Sequence, residues 1–237
     1  MNQNTRFNRL IRRIELMTVV RAVRNALVNM IPVLTIGAFA LILQTLPIPA
    51  YQRFLGTAVG GVFFRFLQLV YSGTFGILSV YITLLVSLAY VKLRADRNSN
   101  TVGAMLSAII CFAILAGAYL PDFSTEYLGP KSMFLALLTG LGASSMFHWL
   151  YGRLRWESPR VLTVGADLEF TRAIATLAPI AITAGVFTAL NTLIIRLAHV
   201  DSFLMGLNAL FNWAFSFGEA GFFKGFSLVL LSSLLWF

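Results

Sequence analysis

Apolar residues run almost unbroken through five stretches of the chain, at residues 26–46, 73–91, 102–120, 132–151 and 173–195, and a sixth opens near Phe226. Each of the five comes within a few residues of the roughly 20 that carry a helix across about 30 Å of hydrocarbon. Backbone groups find no water in lipid, so runs of this length are predicted to be membrane helices. Other stretches carry a different pattern. In Phe7, Leu10, Ile11, Ile14 and Met17 apolar residues recur at helical spacing with Arg9, Arg12 and Arg13 between them. Residues 1–24 are therefore predicted to form an amphipathic helix on the inner membrane surface. Tyr51 to Leu69 mixes Phe54, Phe63, Phe64 and Phe66 with Arg53, Arg65 and Gln68, which is too polar for a span and predicts an interfacial segment.

Punctuation along the chain agrees with this division. Pro32 predicts a kink inside the first run, and Pro47 and Pro49 end it. Lys92 to Asn100 is a short polar loop that makes the second and third runs antiparallel. Pro121 to Pro130, with Asp122 and Glu126, joins the third run to the fourth, and Arg153 to Asp167 is the longest polar connection. Between Phe203 and Phe217 a polar stripe of Asn208, Asn212 and Ser216 at four-residue spacing predicts an interfacial or cavity-facing helix. Gly218 to Gly225 breaks it, and the last run stops at Phe237 after 12 residues, too few to cross. The chain is thus expected to be part of something longer. Three regions follow: residues 1–24, a five-helix unit at 25–201, and 202–237 as an interfacial helix opening a further region.

Charge then gives the spans a direction. Of the 18 Lys and Arg residues, Arg6, Arg9, Arg12, Arg13, Arg21, Arg24, Lys92, Arg94, Arg97, Arg153, Arg155, Arg160 and Arg172 fall on one side of the alternating spans. Only Arg53, Arg65, Lys131, Arg196 and Lys224 fall on the other. Basic residues near span ends stay in the cytoplasm, which predicts a cytoplasmic N-terminus. The composition changes the picture little: 58% hydrophobic and 11% charged residues, with a mean hydropathy of +0.81, lie far from the roughly 25% charged fraction of soluble domains. The net charge of +9 sits at membrane boundaries rather than in one tract, which excludes nucleic acid as the partner and points to the bilayer. The Arg-rich first twenty residues lack the apolar core of a cleavable signal peptide.

Candidate chemistry is sparse. There is no phosphate-binding loop, no metal-ligand spacing and no evident set of nucleophile, base and acid. Cys111, the single cysteine, lies within the third run. His148 stands beside Trp149 and Tyr151 and reads as part of an aromatic belt. His199 and Asp201 read as a helix-end pair, and Glu219 as a turn residue among small neighbours. No predicted span holds a charge at its centre, where one would cost about 2.5–3.5 kcal/mol; the five spans therefore read as scaffold. Gly56 and Gly60, and Gly221 and Gly225, carry the spacing of close helix packing, but Gly140 and Gly142 within the fourth run are the better candidates.

Beyond this pattern, several segments resemble a known family. RNALVNMIPVLTIGAFALIL (Arg24 to Leu43), SVYITLLVSLAYVKLR (Ser79 to Arg94), LGPKSMFLALLTGL (Leu128 to Leu141) and RAIATLAPIAIT (Arg172 to Thr183) are similar to the membrane subunit, enzyme IIC, of phosphotransferase sugar permeases of the lactose, cellobiose and diacetylchitobiose group. The resemblance covers nearly the whole chain, as the N-terminal half of such a permease. Where that family carries a Pro-rich step before the fifth span, this chain reads VGADLEF at Val164 to Phe170. The closing LLSSLLWF resembles the lead-in to the family's WFFGIHG signature, which makes Trp236 a sugar-site residue by resemblance. An aromatic face stacking on a sugar ring is the physical reason. The resemblance implies an all-α integral membrane protein of the bacterial cell membrane, a homodimer whose five-helix unit forms the interface, and no cofactor or metal. It further implies translocation of a disaccharide or oligosaccharide coupled to phosphorylation by a separate IIB subunit bearing a phosphocysteine, a role Cys111 cannot fill from within a span. An alternative is a membrane sensor or anchor built on the same scaffold and fused to a cytoplasmic signalling domain.

Overall fold

The computed structural model describes residues 18–94, 100–121, 123–154, 168–198, 200 and 203–207. Seven helices are named within them: α1 (Thr18–Thr45), α2 (Pro49–Leu55), α3 (Ala58–Thr74), α4 (Leu78–Leu93), α5 (Thr101–Ala116), α6 (Met133–Leu154) and α7 (Leu168–Ala198). Residues 203–207 form a further short helical piece. Four stretches are long and apolar enough to cross a membrane, at Thr18–Thr45, Ala58–Leu93, Pro130–Leu154 and Ile174–Leu197, and Thr101–Ala116 is a shorter apolar helix. The all-α membrane architecture expected from the hydropathy pattern is thus the one observed.

Local chemistry sets the helix ends. Asn100 caps α5 by accepting the Gly103 N–H at 2.9 Å. At the other end Gly117 adopts a left-handed φ of 83°, which glycine tolerates without a Cβ clash. Thr57 caps α3 through the Gly60 N–H at 3.2 Å. Pro49 opens α2 from a position where its missing N–H is not needed.

Contacts between helices fix their directions. Thr83 faces Gly140 and Ser87 faces Ser144, so α4 and α6 run parallel. Gly103 faces Phe147 while Ala108 and Cys111 cluster with Ala143, so α5 is antiparallel to α6. Gly103 faces Thr176 and Tyr119 faces Asn191, so α7 runs parallel to α5. Gly37 meets Thr74 and Phe75 at the head of α4, so α1 lies antiparallel along α4 and continues past it along α3. Among described residues, Arg21, Arg24, Lys92, Arg94 and Arg153 accordingly gather at one end of the bundle, and Lys131 and Arg196 lie toward the other. The packing thus separates the basic residues as the alternating spans require.

Burial is inverted relative to a water-soluble protein. Ser79, Thr83, Ser87, Ser107, Ser132, Thr139, Ser144, Thr183 and Asn191 are buried, whereas Val28, Ile31, Phe39, Leu177 and Leu193 are exposed. The outer helices α1 and α7 bury only 22% and 17% of their apolar windows. On a soluble monomer such contiguous apolar surfaces would be unfavourable; against lipid they carry no penalty.

Several boundaries differ from the sequence expectation. The limit at residue 24 falls inside α1, because Arg21 and Arg24 are good helix formers and extend the first span toward Thr18. Residues 51–69, expected at the interface, form α2 and most of α3, and α3 continues through a 3-10 turn at Phe75–Ile77 into α4. The second run therefore begins within one 36-residue apolar stretch, Ala58–Leu93. The predicted helix at residues 1–17 lies outside the described residues, as does most of 203–217.

Candidate functional site

Hydroxyl side chains recur on one face of α4 at four-residue spacing: Ser79, Thr83 and Ser87, all fully buried. Opposite them α6 places Thr139, Gly140 and Ser144. Gly140 is what brings the helices together, since a Cβ there would stand 3.1 Å from the Thr83 carbonyl oxygen and from Val86. At that distance the Ser87 and Ser144 hydroxyls share a hydrogen bond of 2.7 Å, and Ser144 Oγ also reaches the Gly140 carbonyl at 2.5 Å. Ser87 donating to Ser144, and Ser144 to Gly140, uses one proton from each hydroxyl. The Tyr90 hydroxyl donates to Ser145 Oγ at 2.9 Å, Thr83 to the Ser79 carbonyl at 2.8 Å and Ser79 to the Gly129 carbonyl at 2.6 Å. These hydroxyls are engaged with neighbouring oxygens and, among the described residues, face no base or acid. The seam can hold helices together; it cannot activate a nucleophile.

A second feature lies across α5, α6 and α7. Leu115, Leu135, Leu138, Thr139, Phe187, Leu190, Ile194 and Phe203 line a cavity of about 140 Å³, small beside the roughly 300–1,000 Å³ of drug-sized ligand sites. Its lining is almost wholly apolar. Asn191, on the same helix, is 3% exposed; its Nδ2 donates to the Tyr119 hydroxyl at 3.3 Å, while its Oδ1 has no partner among the described residues. Neither feature offers the convergent polar groups that a sugar requires.

The two ends of the bundle differ electrostatically. At the basic end the Arg94 guanidinium lies 5.4 Å from the Tyr90 ring centroid and that of Arg153 4.7 Å from the Trp149 ring, cation–π geometries that hold the charge beside an aromatic face. At the other end Lys131 pairs with Glu126, and the hydrogen bond from Lys131 lowers the Glu126 carboxyl below its ordinary value of 4.5. Both partners are exposed.

The sequence candidates divide accordingly. His148 is half-buried on α6 beside exposed Trp149, as a belt residue would be. Cys111 is fully buried against Ala108 and Ala143 and cannot meet a soluble partner. Gly140 does make the close approach; at Gly142 an added Cβ would stand 3.4 Å from the Phe187 ring, an ordinary contact. Gly60 packs within the chain, since a Cβ there would overlap the Phe54 carbonyl oxygen. Trp236, Asn208, Asn212, His199, Asp201, Glu219, Gly221 and Gly225 lie outside the described residues. Among the described residues no group of three or more His, Cys, Asp or Glu side chains could hold a metal ion. Sequence reading passed over the hydroxyl seam, although the spacing of Ser79, Thr83 and Ser87 inside an apolar run was its signal.

No family model matches the chain, and no curated protein matches it by sequence. Its fold does match a solved structure, that of the transporter ChbC, the IIC component from the N,N'-diacetylchitobiose-specific phosphotransferase system. The TM-score is 0.72 at 18% sequence identity, over 86% of this chain and 49% of that one. The chain thus spans about half the length of the transporter it matches. At this identity the likeness establishes a shared fold, the one that the resemblance implied.

Proposed function

We propose that the protein is a sugar-permease subunit of a phosphoenolpyruvate-dependent phosphotransferase system. The observation that carries this reading is the fold shared with an enzyme IIC transporter over 86% of the chain. The four similar segments, Arg24 to Leu43, Ser79 to Arg94, Leu128 to Leu141 and Arg172 to Thr183, support it independently. In this reading residues 25–201 are a scaffold through which two copies pair. Their tightly packed interior suits a static frame, and sugar contacts belong to the region from residue 202 on, which includes Trp236. The substrate is a disaccharide or oligosaccharide of the cellobiose, lactose or diacetylchitobiose class. A IIB subunit bearing a phosphocysteine takes the basic end, which lies in the cytoplasm of a bacterial cell with the N-terminus.

The test is phosphoenolpyruvate-dependent phosphorylation of cellobiose, lactose and N,N'-diacetylchitobiose by cells that carry or lack the full chain. Accumulation of one sugar phosphate only in the carrying cells is the expected result. Equal sugar phosphate in both would overturn the transport reading. Reporter fusions test the orientation separately: one at Asn98 should read cytoplasmic and one at Ser124 external.

A further inference from the structure

The far end of α1, residues 38–45, forms an arm with α2 and α3, and the chain crosses between arm and bundle twice, within α1 and between α3 and α4. The arm is braced within itself. Gln52 Nε2 donates to the Leu46 carbonyl at 2.9 Å, tying α2 to the end of α1. A Cβ on Gly60 would overlap the Phe54 carbonyl oxygen, so α3 lies hard against α2.

Both crossings are weak as helices. Between α3 and α4 the chain tightens into the 3-10 turn Phe75–Ile77, with Thr74 at φ −108°, ψ −75° and Ile77 at φ −122°, ψ 26°; a 3-10 stretch inside a long helix often marks a hinge. Gly73 and Gly76 add backbone freedom there. The Thr74 hydroxyl donates back to the Val70 carbonyl at 2.8 Å, a contact that often bends helices. Helix α1 passes this break with Gly37 against Thr74 and Phe75. Just before it, Pro32 has no N–H for the Val28 carbonyl, and the Thr35 hydroxyl donates back to the Ile31 carbonyl at 2.8 Å. A single contact ties the two sides of the break in one orientation. The Tyr81 hydroxyl donates to the Gly73 carbonyl at 2.9 Å, the one side-chain hydrogen bond across the break among the described residues. Eight residues of straight α-helix cover about 12 Å, farther than a tyrosine side chain reaches back, so this bond exists only while the chain is bent.

We propose that residues 73–77 and the section 28–37 of α1 are a hinge on which the arm swings as one body, latched in its bent position by the hydrogen bond from Tyr81 to Gly73. The hinge is independent of the transport reading and stands or falls without it. Double electron–electron resonance on the full chain in lipid nanodiscs tests it, with labelled chains diluted by unlabelled ones so that only distances within one chain are read. Nitroxides on cysteines replace exposed residues in three pairs: Val59 and Leu193 across the break, Ile42 and Val59 within the arm, and Leu106 and Leu193 within the bundle. The fully buried Cys111 takes no label. Tyr81→Phe should raise the population of other arm orientations about fivefold, the factor that one hydrogen bond is worth, and so broaden the distance distribution of the Val59 and Leu193 pair alone. Adding Gly73→Ala and Gly76→Ala should narrow it again. An added Cβ meets nothing within 4 Å at Gly73 and only the Ser72 Cβ at 3.7 Å at Gly76, and alanine restricts the backbone. A cross-break distribution unchanged by Tyr81→Phe, or broadening shared by all three pairs, overturns the latch. Broadening that survives both alanines overturns the hinge at the break.

Discussion

The seam between α4 and α6 and the arm built by α2 and α3 solve opposite packing problems. In the seam, small and hydroxyl residues are buried among apolar ones such as Val86; in the arm, Val59, Val62 and Phe66 are exposed and only Leu55, Gly60 and Leu67 are buried. Lipid is as apolar as a leucine side chain, so burying apolar surface against protein yields little inside a bilayer. What drives α4 onto α6 is close van der Waals contact at Gly140 and the hydrogen bonds that this closeness permits. The arm has no such seam, and its apolar residues have no reason to avoid lipid.

The largest effect should come from filling the seam. Gly140→Leu would push against the Thr83 carbonyl and Val86, and a cost of about 1–3 kcal/mol is expected, read as a lower midpoint in denaturing-detergent titration. Gly60→Ala is the matching change in the arm, where the added Cβ meets the Phe54 backbone. Hydrogen exchange should show α2 and α3 opening while α4, α5 and α6 keep their protection. Equal loss of protection in all five helices would mean that arm and seam form one cooperative unit.

A smaller effect separates geometry from hydrogen bonding. A double-mutant cycle of Ser87→Ala and Ser144→Ala should give a coupling of about 0.6 kcal/mol, the average for such bonds in membranes. A coupling near zero would assign the seam to small-residue contact alone.

The smallest effect belongs to the exposed Glu126–Lys131 pair. Lys131 lowers the Glu126 carboxyl, so any stabilisation is complete above the ordinary value of 4.5 and fades as pH falls through the lower folded value. Because water and salt screen both groups, Glu126→Gln should leave the unfolding midpoint at neutral pH unchanged. A clear drop would give that turn a structural role comparable with the seam.

Much of this was legible from residue order. The all-helical apolar runs, the antiparallel hairpins and Gly140 of the fourth run follow from local pattern, as does the kink-prone Pro32; of the five expected spans the structure has four long and apolar enough to cross, with Thr101–Ala116 shorter. Less legible was the break between α3 and α4, which has no proline. Gly73 and Gly76 allow it, but what holds it is distant: the Tyr81 hydroxyl donates to the Gly73 carbonyl at 2.9 Å, and Gly129 packs against the Phe75 and Gly76 carbonyls. The sugar-site residue Trp236 was legible only by resemblance, and it lies beyond the described residues.

By itself the amino-acid order determined that this is a helical membrane protein whose basic residues separate to one side of its spans. Both follow from a local quantity, the free energy of each segment in lipid or in water. Only the tertiary structure decided that α4 and α6 run side by side, that their hydroxyls pair, and that α3 presents an uncovered apolar face. These depend on residues far apart in the chain, 57 positions for Ser87 and Ser144, brought together because Gly140 leaves room for the helices to touch.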